Sequence, residues 1–255
     1  TNTVADLIPQ ILPGSADEFR LLTDAVGGKG YRQIDINLGC PFPMIAGKHK
    51  GAGMLLYPAQ VAEVLAPIAE YPEIQFSLKM RLGWENASEC LVLVELLNAL
   101  RLSRIALHAR TGKQQYNGHP DLEAFQGFYE LCQHPLYYNG GIESLSDIRQ
   151  ILIRFPLLKG VFIGRGLLSS PLLAKEFKGN ETFLPEQRMS IYFAFHEELF
   201  SAYSQVLQGE TQLLVKMKTL WEYFLPETDR KLLKRIKKST RLQQYTESVK
   251  AIFTS

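Results

Sequence analysis

A cysteine between glycine and proline, Gly39-Cys40-Pro41, follows the short strand-like run Gln33 to Ile36. Its setting suggests chemistry. Pro41 locks its own φ and Gly39 tolerates angles that residues bearing a Cβ avoid, so the sulfur is held on a fixed turn. Two readings stand for Cys40: a reactive thiol, or a buried cysteine serving as a small hydrophobe. Other residues of special type end or interrupt apolar runs elsewhere in the chain. They are Gln10 in Pro9-Gln10-Ile11, Asn37, Lys79 and Arg81 in Leu78-Lys79-Met80-Arg81, and His108 and Arg110 in Leu107-His108-Ala109-Arg110. Two later runs end in the glycine-rich turns Asn139-Gly140-Gly141 and Gly164-Arg165-Gly166, which can offer backbone N–H groups to a phosphate, with Arg165 adding a charged fork. Singly, Lys79 also suits a snorkelling lysine, His108 a hydrogen-bonded core histidine, and the Asn139 turn an ordinary connection. Together they fall at the same end of successive strands, where α/β enzymes build their sites.

The elements that must position these residues alternate. Apolar stretches at Leu7 to Leu12, Gln33 to Asn37, Phe76 to Met80, Ile105 to His108, Leu136 to Tyr138 and Gly160 to Ile163 read as strands. Between them, Ala59 to Glu70, Ser88 to Leu100, Leu122 to Cys132 and Ser144 to Ile153 carry apolar residues at three- and four-residue spacing, the mark of amphipathic helices. Repeated βα units predict a parallel sheet with helices outside. After Pro185 the alternation stops, and Arg188 to Gln208, Thr211 to Phe224, Asp229 to Lys238 and Gln243 to Phe253 read as helices only. The expected domains are residues 1–184 for the α/β part and 185–255 for the helical part.

Bulk composition narrows the function classes. With 255 residues, 46% hydrophobic and 21% charged, the chain is globular, and its apolar runs fall short of the ~20 residues a membrane span needs. The three cysteines, Cys40, Cys90 and Cys132, lie far apart, which argues against a disulfide framework or a zinc site and suits a reducing cytoplasm. A net charge of +2 does not imply nucleic-acid binding by the whole molecule. Its distribution is uneven, however: Arg230 to Arg241 carries seven basic residues and no acid, with Lys216 and Lys218 on the helix before it. Such a run is either a solvated helix face or a surface for RNA phosphates, and its place in a helical appendage favours the second.

A lysine, a histidine and a glutamine around a pocket with a late phosphate site suit a flavin. The lysine stabilises the negative charge of the reduced ring and the others bond its polar rim. No GxGxxG follows a strand, so flavin mononucleotide, FMN, fits better than a dinucleotide. Thiols are ordinarily protonated at neutral pH, which suits a general acid.

On these motifs the chain resembles the tRNA-dihydrouridine synthase family. The match runs through Asp35-Ile36-Asn37-Leu38-Gly39-Cys40-Pro41 with Gly47-Lys48 and Gly51-Ala52, Lys79-Met80-Arg81-Leu82-Gly83-Trp84, and His108-Ala109-Arg110-Thr111 with Gln115-Tyr116-Asn117-Gly118. It continues in Asn139-Gly140-Gly141-Ile142 and Gly160-Val161-Phe162-Ile163-Gly164-Arg165-Gly166. The resemblance implies an FMN-dependent (β/α)8 TIM barrel followed by a helical RNA-binding domain. It implies that FMN reduced by NADPH passes hydride to C6 of a uridine in tRNA while Cys40 protonates C5. Gln10, Lys79, His108, Asn139, Gly140, Gly141, Gly164 and Arg165 would hold the flavin. Asn37, Arg81 and Arg110 would lie near the base, and Lys216, Lys218, Lys234 and Arg235 on the RNA backbone. No metal is required, the target base must leave its stack, and a monomer in the cytoplasm is expected.

Three departures accompany the resemblance. Gly141 stands where the family commonly has aspartate, and Ala109 where it commonly has glycine. The six expected strands align with the third to eighth of the barrel, so the chain reads as a barrel lacking its first two βα units, about 50–60 residues. An open gap on that side and an incomplete flavin site are therefore expected. Rival readings are an FMN-barrel oxidoreductase acting on a small pyrimidine or enone, and an RNA-binding relative without turnover.

Overall fold

A computed structural model describes residues 7–254. They fall into two compact units, one running to Gly141 and taking in Ile148–Phe162, the other made of Ile142–Asp147 and the chain from Ile163 onward.

The first unit is built on six parallel strands in the order β1-β2-β3-β4-β5-β6, so neighbours in sequence are neighbours in the sheet. These are β1 (Gln10–Ile11), β2 (Gln33–Leu38), β3 (Gln75–Gly83), β4 (Leu102–Thr111), β5 (Leu136–Asn139) and β6 (Gly160–Phe162). Among the described residues β1 and β6 are the edges, and no pairing joins them. The first edge is shorter than the expected Leu7 to Leu12 because Pro9 and Pro13 flank it and neither has an N–H for the ladder. The connections carry α1 (Ala16–Gly27), α2 (Pro43–Ala46), α3 (Pro58–Leu65), α4 (Glu89–Asn98), α5 (Leu122–Leu131) and α6 (Leu145–Arg154), with short 3₁₀ turns at Gly51–Leu56 and Ala66–Glu70. Sequence periodicity did not reveal α1, although Ser15 caps it by accepting from the Glu18 N–H at 3.2 Å.

One face of the sheet explains the packing. Ile34, Ile36 and Leu38 of β2, Phe76, Leu78, Met80 and Leu82 of β3, and Ile105, Leu107 and Ala109 of β4 are all buried. Buried helix residues such as Phe19, Val61, Val64, Leu93, Phe125 and Phe128 complete this core. Aromatic contacts stitch it, with Phe19 and Phe76 ring centres 5.3 Å apart and Phe125 edge-on to Tyr138 at 5.0 Å. Side chains alternate across a strand, so the opposite face takes every second residue, and there the sequence is polar.

The second unit holds α7 (Arg165–Ser169), α8 (Leu173–Gly179), α9 (Pro185–Val206), α10 (Glu210–Leu220), α11 (Arg230–Lys238) and α12 (Leu242–Phe253). Its core gathers Tyr192, Leu213, Met217, Trp221, Phe224, Ile236, Tyr245 and Ile252. A buried polar chain crosses that core. The Tyr245 hydroxyl accepts from Trp221 Nε1–H at 2.9 Å and lies 2.7 Å from His196 Nε2, while His196 Nδ1 lies 3.0 Å from the Glu197 carboxylate. All partners are satisfied if His196 is neutral, donating through Nδ1 to Glu197 and accepting the Tyr245 proton. Burial lowers the His196 pKa below its ordinary 6.5, against the opposing pull of Glu197, and pushes the Tyr245 hydroxyl up.

Because His196 is depressed in the folded chain, its contribution to stability is complete above about pH 6.5 and lost as pH falls further. Urea unfolding followed by Trp221 fluorescence in a Trp84→Phe background should show this loss between pH 7.5 and 5.5, and His196→Phe should flatten it. Tyr245→Phe leaves the Trp221 N–H without its acceptor and should cost about 1–3 kcal/mol at neutral pH.

Candidate active site

The polar face of the sheet gathers residues expected to do chemistry. Strand register aligns Gln10, Asp35 and Ser77 in one row, Asn37, Lys79 and Ala106 in a second, and Arg81, His108 and Asn139 in a third. These residues do not all end their strands as expected: Lys79 and Arg81 lie inside β3, and His108 and Arg110 inside β4. The strands run longer because their helix-facing positions stay apolar beyond these polar residues, so period-two alternation continues through them.

Cys40 is half-buried on the turn leaving β2, and several bonds converge on that turn. The Asn37 side-chain oxygen accepts the Gly39 N–H at 2.8 Å and the Cys40 N–H at 2.9 Å, while its amide donates to Gln10 Oε1 at 2.7 Å. Arg81 Nε donates to the Gly39 carbonyl at 3.0 Å, and the Cys40 carbonyl accepts the Ala52 N–H at 3.0 Å. Gly51, at φ +56°, closes the arrangement: a Cβ there would lie 2.8 Å from the Cys40 Cβ. A Cβ on Gly39 would sit 3.4 Å from the backbone of Met80 and 3.5 Å from the Lys79 carbonyl, so the thiol turn rests on β3 beside Lys79.

Lys79 is half-buried, yet its ammonium makes no hydrogen bond or ion pair among the described residues. Burial pushes its pKa down and the charge of Arg81 adds to the effect, against the pull of Asp35 and Cys40. Asp35 is committed elsewhere, accepting from Gln10 Nε2 and from Ser77 Oγ at 2.6 Å each. An under-compensated cation on a polar sheet face favours an anionic or electron-rich ligand.

Arg81 is 1% exposed and spends its donors on backbone, adding the Thr111 carbonyl at 2.8 Å and the Gln115 carbonyl at 2.7 Å to that of Gly39. It therefore ties the loop after β2 to the loop after β4. Arg110, also buried, donates to the Gly118 carbonyl at 2.9 Å and lies 3.2 Å from His108 Nε2. A guanidinium only donates, so Nε2 accepts and the His108 proton sits on Nδ1. Asn139 donates to the Phe162 carbonyl at 2.8 Å, and Gly140 and Gly141 follow at φ +137° and +60°. At Gly141 a Cβ would meet Pro120 at 3.0 Å, which with the positive φ favours glycine there.

In the second unit Gly164 precedes α7 and Arg165 is its first residue; a Cβ on Gly164 would meet nothing within 4 Å. On α11, Lys231, Lys234, Arg235 and Lys238 recur at helical spacing and line a groove of about 440 Å³ with Gln244 and Glu247 of α12. Lys216 is exposed over the Tyr203 ring, whereas Lys218 donates to the Ser239 carbonyl and ties α10 to the end of α11. Sequence reasoning passed over Asp35 and Ser77; their signal was even spacing from Asn37 and Lys79 on one strand face.

The family model for dihydrouridine synthases matches residues 6–254, and the chain belongs to that family. It is 27% identical over 161 residues to tRNA-dihydrouridine synthase B of Vibrio vulnificus, covering 62% of this chain and 50% of that protein. It is 27% identical over 170 residues to the Pseudomonas putida protein of the same name, covering 66% and 50%. The chain thus spans about half the length of the curated relatives it matches. Among solved structures, histamine dehydrogenase from Rhizobium sp. 4-9 is similar in fold, with a TM-score of 0.51 at 16% identity over 65% of this chain and 27% of that one. No described helix is long and apolar enough to cross a membrane.

The contact between Gly51 and Cys40 yields a direct test. Gly51→Ala combines a positive φ with a sub-contact distance, and should destabilise the chain by about 1–3 kcal/mol. It should also change the rate at which a thiol reagent labels Cys40. Cys90 and Cys132, whose pKa values burial raises, serve as slow internal references.

Proposed function

We propose that this chain forms the catalytic part of a tRNA-dihydrouridine synthase that reduces the C5=C6 bond of a uracil in tRNA, with FMN as cofactor and NADPH as reductant. The observation that carries the reading is the backbone-pinned Cys40 thiol beside the partnerless Lys79 ammonium. Residues 1–184 are read as the flavin-binding part and 185–255 as the RNA-binding part.

The residues fit FMN. Lys79 supplies the cation that the electron-rich N1–C2=O edge of a flavin attracts, and its unmet charge is the main argument for such a group. His108, with its proton on Nδ1, and Gln10 and Asn139 supply polar contacts. Gly140 and Gly141, both at positive φ, are read as further cofactor contacts. Gly164, where a Cβ would meet nothing within 4 Å, leaves room for a phosphate, with Arg165 adding charge. An FMN held by these residues and reduced by NADPH would supply hydride for C6 of the uracil.

The chain's own residues do the rest. Cys40 Sγ–H gives its proton to C5, so hydride and proton together saturate the double bond and leave a thiolate for solvent to reprotonate. Asn37, through its bonds to the Gly39 and Cys40 N–H groups, fixes where that proton is delivered. Arg81 and Arg110 hold the surrounding loops by their backbone bonds, and Arg110 also holds His108 in one tautomer. The exposed cations of α11, Lys234 and Arg235 among them, and Lys216 take RNA phosphates, while Lys218 shapes that surface through Ser239.

Cys40→Ala should bind FMN and accept electrons from NADPH nearly as the wild type does, while reduction of tRNA uridine slows by about 10²–10⁴-fold. Stopped-flow flavin absorbance separates the two half-reactions. Normal turnover on tRNA in this variant, or turnover on free pyrimidines alone in the wild type, would sink the reading. Lys79→Ala and Arg165→Ala should lose FMN on dialysis. Lys79→Met, by removing a desolvated charge on the order of 1 kcal/mol, should raise the Tm of the flavin-free protein by about 2–4 °C.

A further inference from the structure

Residues 41–50 leave and return to one point. Pro41 follows Cys40, and at the far end Gly51 lies against the Cys40 Cβ while Ala52 donates to the Cys40 carbonyl. A ten-residue surface excursion with both ends together is an Ω-type loop, a form that often carries function. It is rigid from within. Pro43 starts α2, whose last turns bond Ala46 N–H to the Phe42 carbonyl and Gly47 N–H to the Pro43 carbonyl. Lys50 is clamped by Glu18 at 2.6 Å, Gln60 donates to the His49 carbonyl, and the His49 ring stacks on Tyr57 at 4.3 Å.

What this rigid loop shows to solvent is unusual. Phe42 is 66% exposed and Met44 78%, two large apolar side chains within four residues of the reactive thiol. Lys48 is exposed beside them with its ammonium in no ion pair among the described residues. Between Asp35 and Glu63 the sequence has no acidic residue, while it carries Lys48, His49 and Lys50. Lys50 is paired with Glu18, so the exposed Phe42 ring and the Lys48 ammonium are what the loop offers, the pairing a single-strand nucleic-acid platform uses to stack a base and hold a phosphate.

We propose that this loop is the RNA-contacting lip of the site, with Phe42 stacking on a nucleobase next to the target uridine and Lys48 pairing with an adjacent phosphate. The inference rests on the tRNA reading above and adds the residues that grip the flanking nucleotide. A base removed from its stack leaves neighbours with open faces. An aromatic side chain held by the same loop as the proton donor offers one of those faces a partner, so docking of the flanking base and alignment of Cys40 become one event. A protein surface could also use Phe42 and Met44, but an apolar one would gain nothing from the exposed Lys48 ammonium beside them.

The test uses the full-length flavin-loaded protein and an unmodified tRNA transcript, measuring Kd and the tRNA dependence of flavin oxidation. Phe42→Ala should raise Kd and KM for tRNA roughly tenfold, with kcat at saturation changed much less. Phe42→Tyr should restore binding and Phe42→Leu should not. Lys48→Glu should weaken binding and reduce its salt dependence. Because Phe42 is exposed, Tm and flavin content should stay at wild-type values in its variants. Unchanged Kd in Phe42→Ala, restoration by leucine as full as by tyrosine, or loss of a wild-type dimer in Phe42→Ala with tRNA binding intact would overturn the proposal. Failure of the wild type itself to bind tRNA or to oxidise its flavin upon it would overturn the preceding functional reading instead.

Discussion

A guanidinium that is 1% exposed must place its donors or leave a charge stranded in low dielectric. Arg81 places them on three backbone carbonyls, Gly39, Thr111 and Gln115, with the Tyr116 ring 5.5 Å from its centre. None of these partners is a carboxylate, so the bond set fixes loop geometry without neutralising the positive charge. Burial accordingly pulls the Arg81 pKa down, and the same charge depresses its strand neighbour Lys79. Two consequences follow from one residue: the thiol turn is locked to the loop after β4, and the sheet face beside it stays electropositive.

That face makes sense only against its opposite. The helix-facing side of β2, β3 and β4 is uniformly apolar and buried, which is what a parallel sheet covered by helices requires. The other side carries amides, carboxylate, ammonium and imidazole in register. Polar groups placed there satisfy one another in part, as Gln10, Asp35, Asn37 and Ser77 do, while Lys79 is left over. Stability is carried by one face, and the other is free to hold unmet charge.

This division also decides what was legible in the sequence. The six strands and the helices after Pro185 could be read because helix-facing apolar residues and periodic helices leave strong patterns. The candidate site residues stood out as polar interruptions. Their environments did not: nothing in Leu78-Lys79-Met80-Arg81 tells that one cation is engaged on three carbonyls and its neighbour on none. Asp35 and Ser77 were passed over because a polar residue early in a strand resembles a boundary. The short α7 and α8 escaped notice because five and seven residues are too few to show apolar periodicity.

The thiol turn shows how little freedom remains once these constraints combine. Asn37 must direct its oxygen to two successive N–H groups, position 39 must lie flat on β3, and position 51 must adopt a left-handed backbone against Cys40. Each condition alone selects a common residue type. Jointly they select the Asn-x-Gly-Cys-Pro and Gly-Ala spacing, since moving any member shifts the sulfur relative to Lys79. A loop closed so tightly at its base can carry exposed Phe42 and Met44 at its tip without surrendering the position of the thiol, because the excursion returns to the residue it left. Precision at Cys40 and an exposed tip are therefore compatible within one short segment.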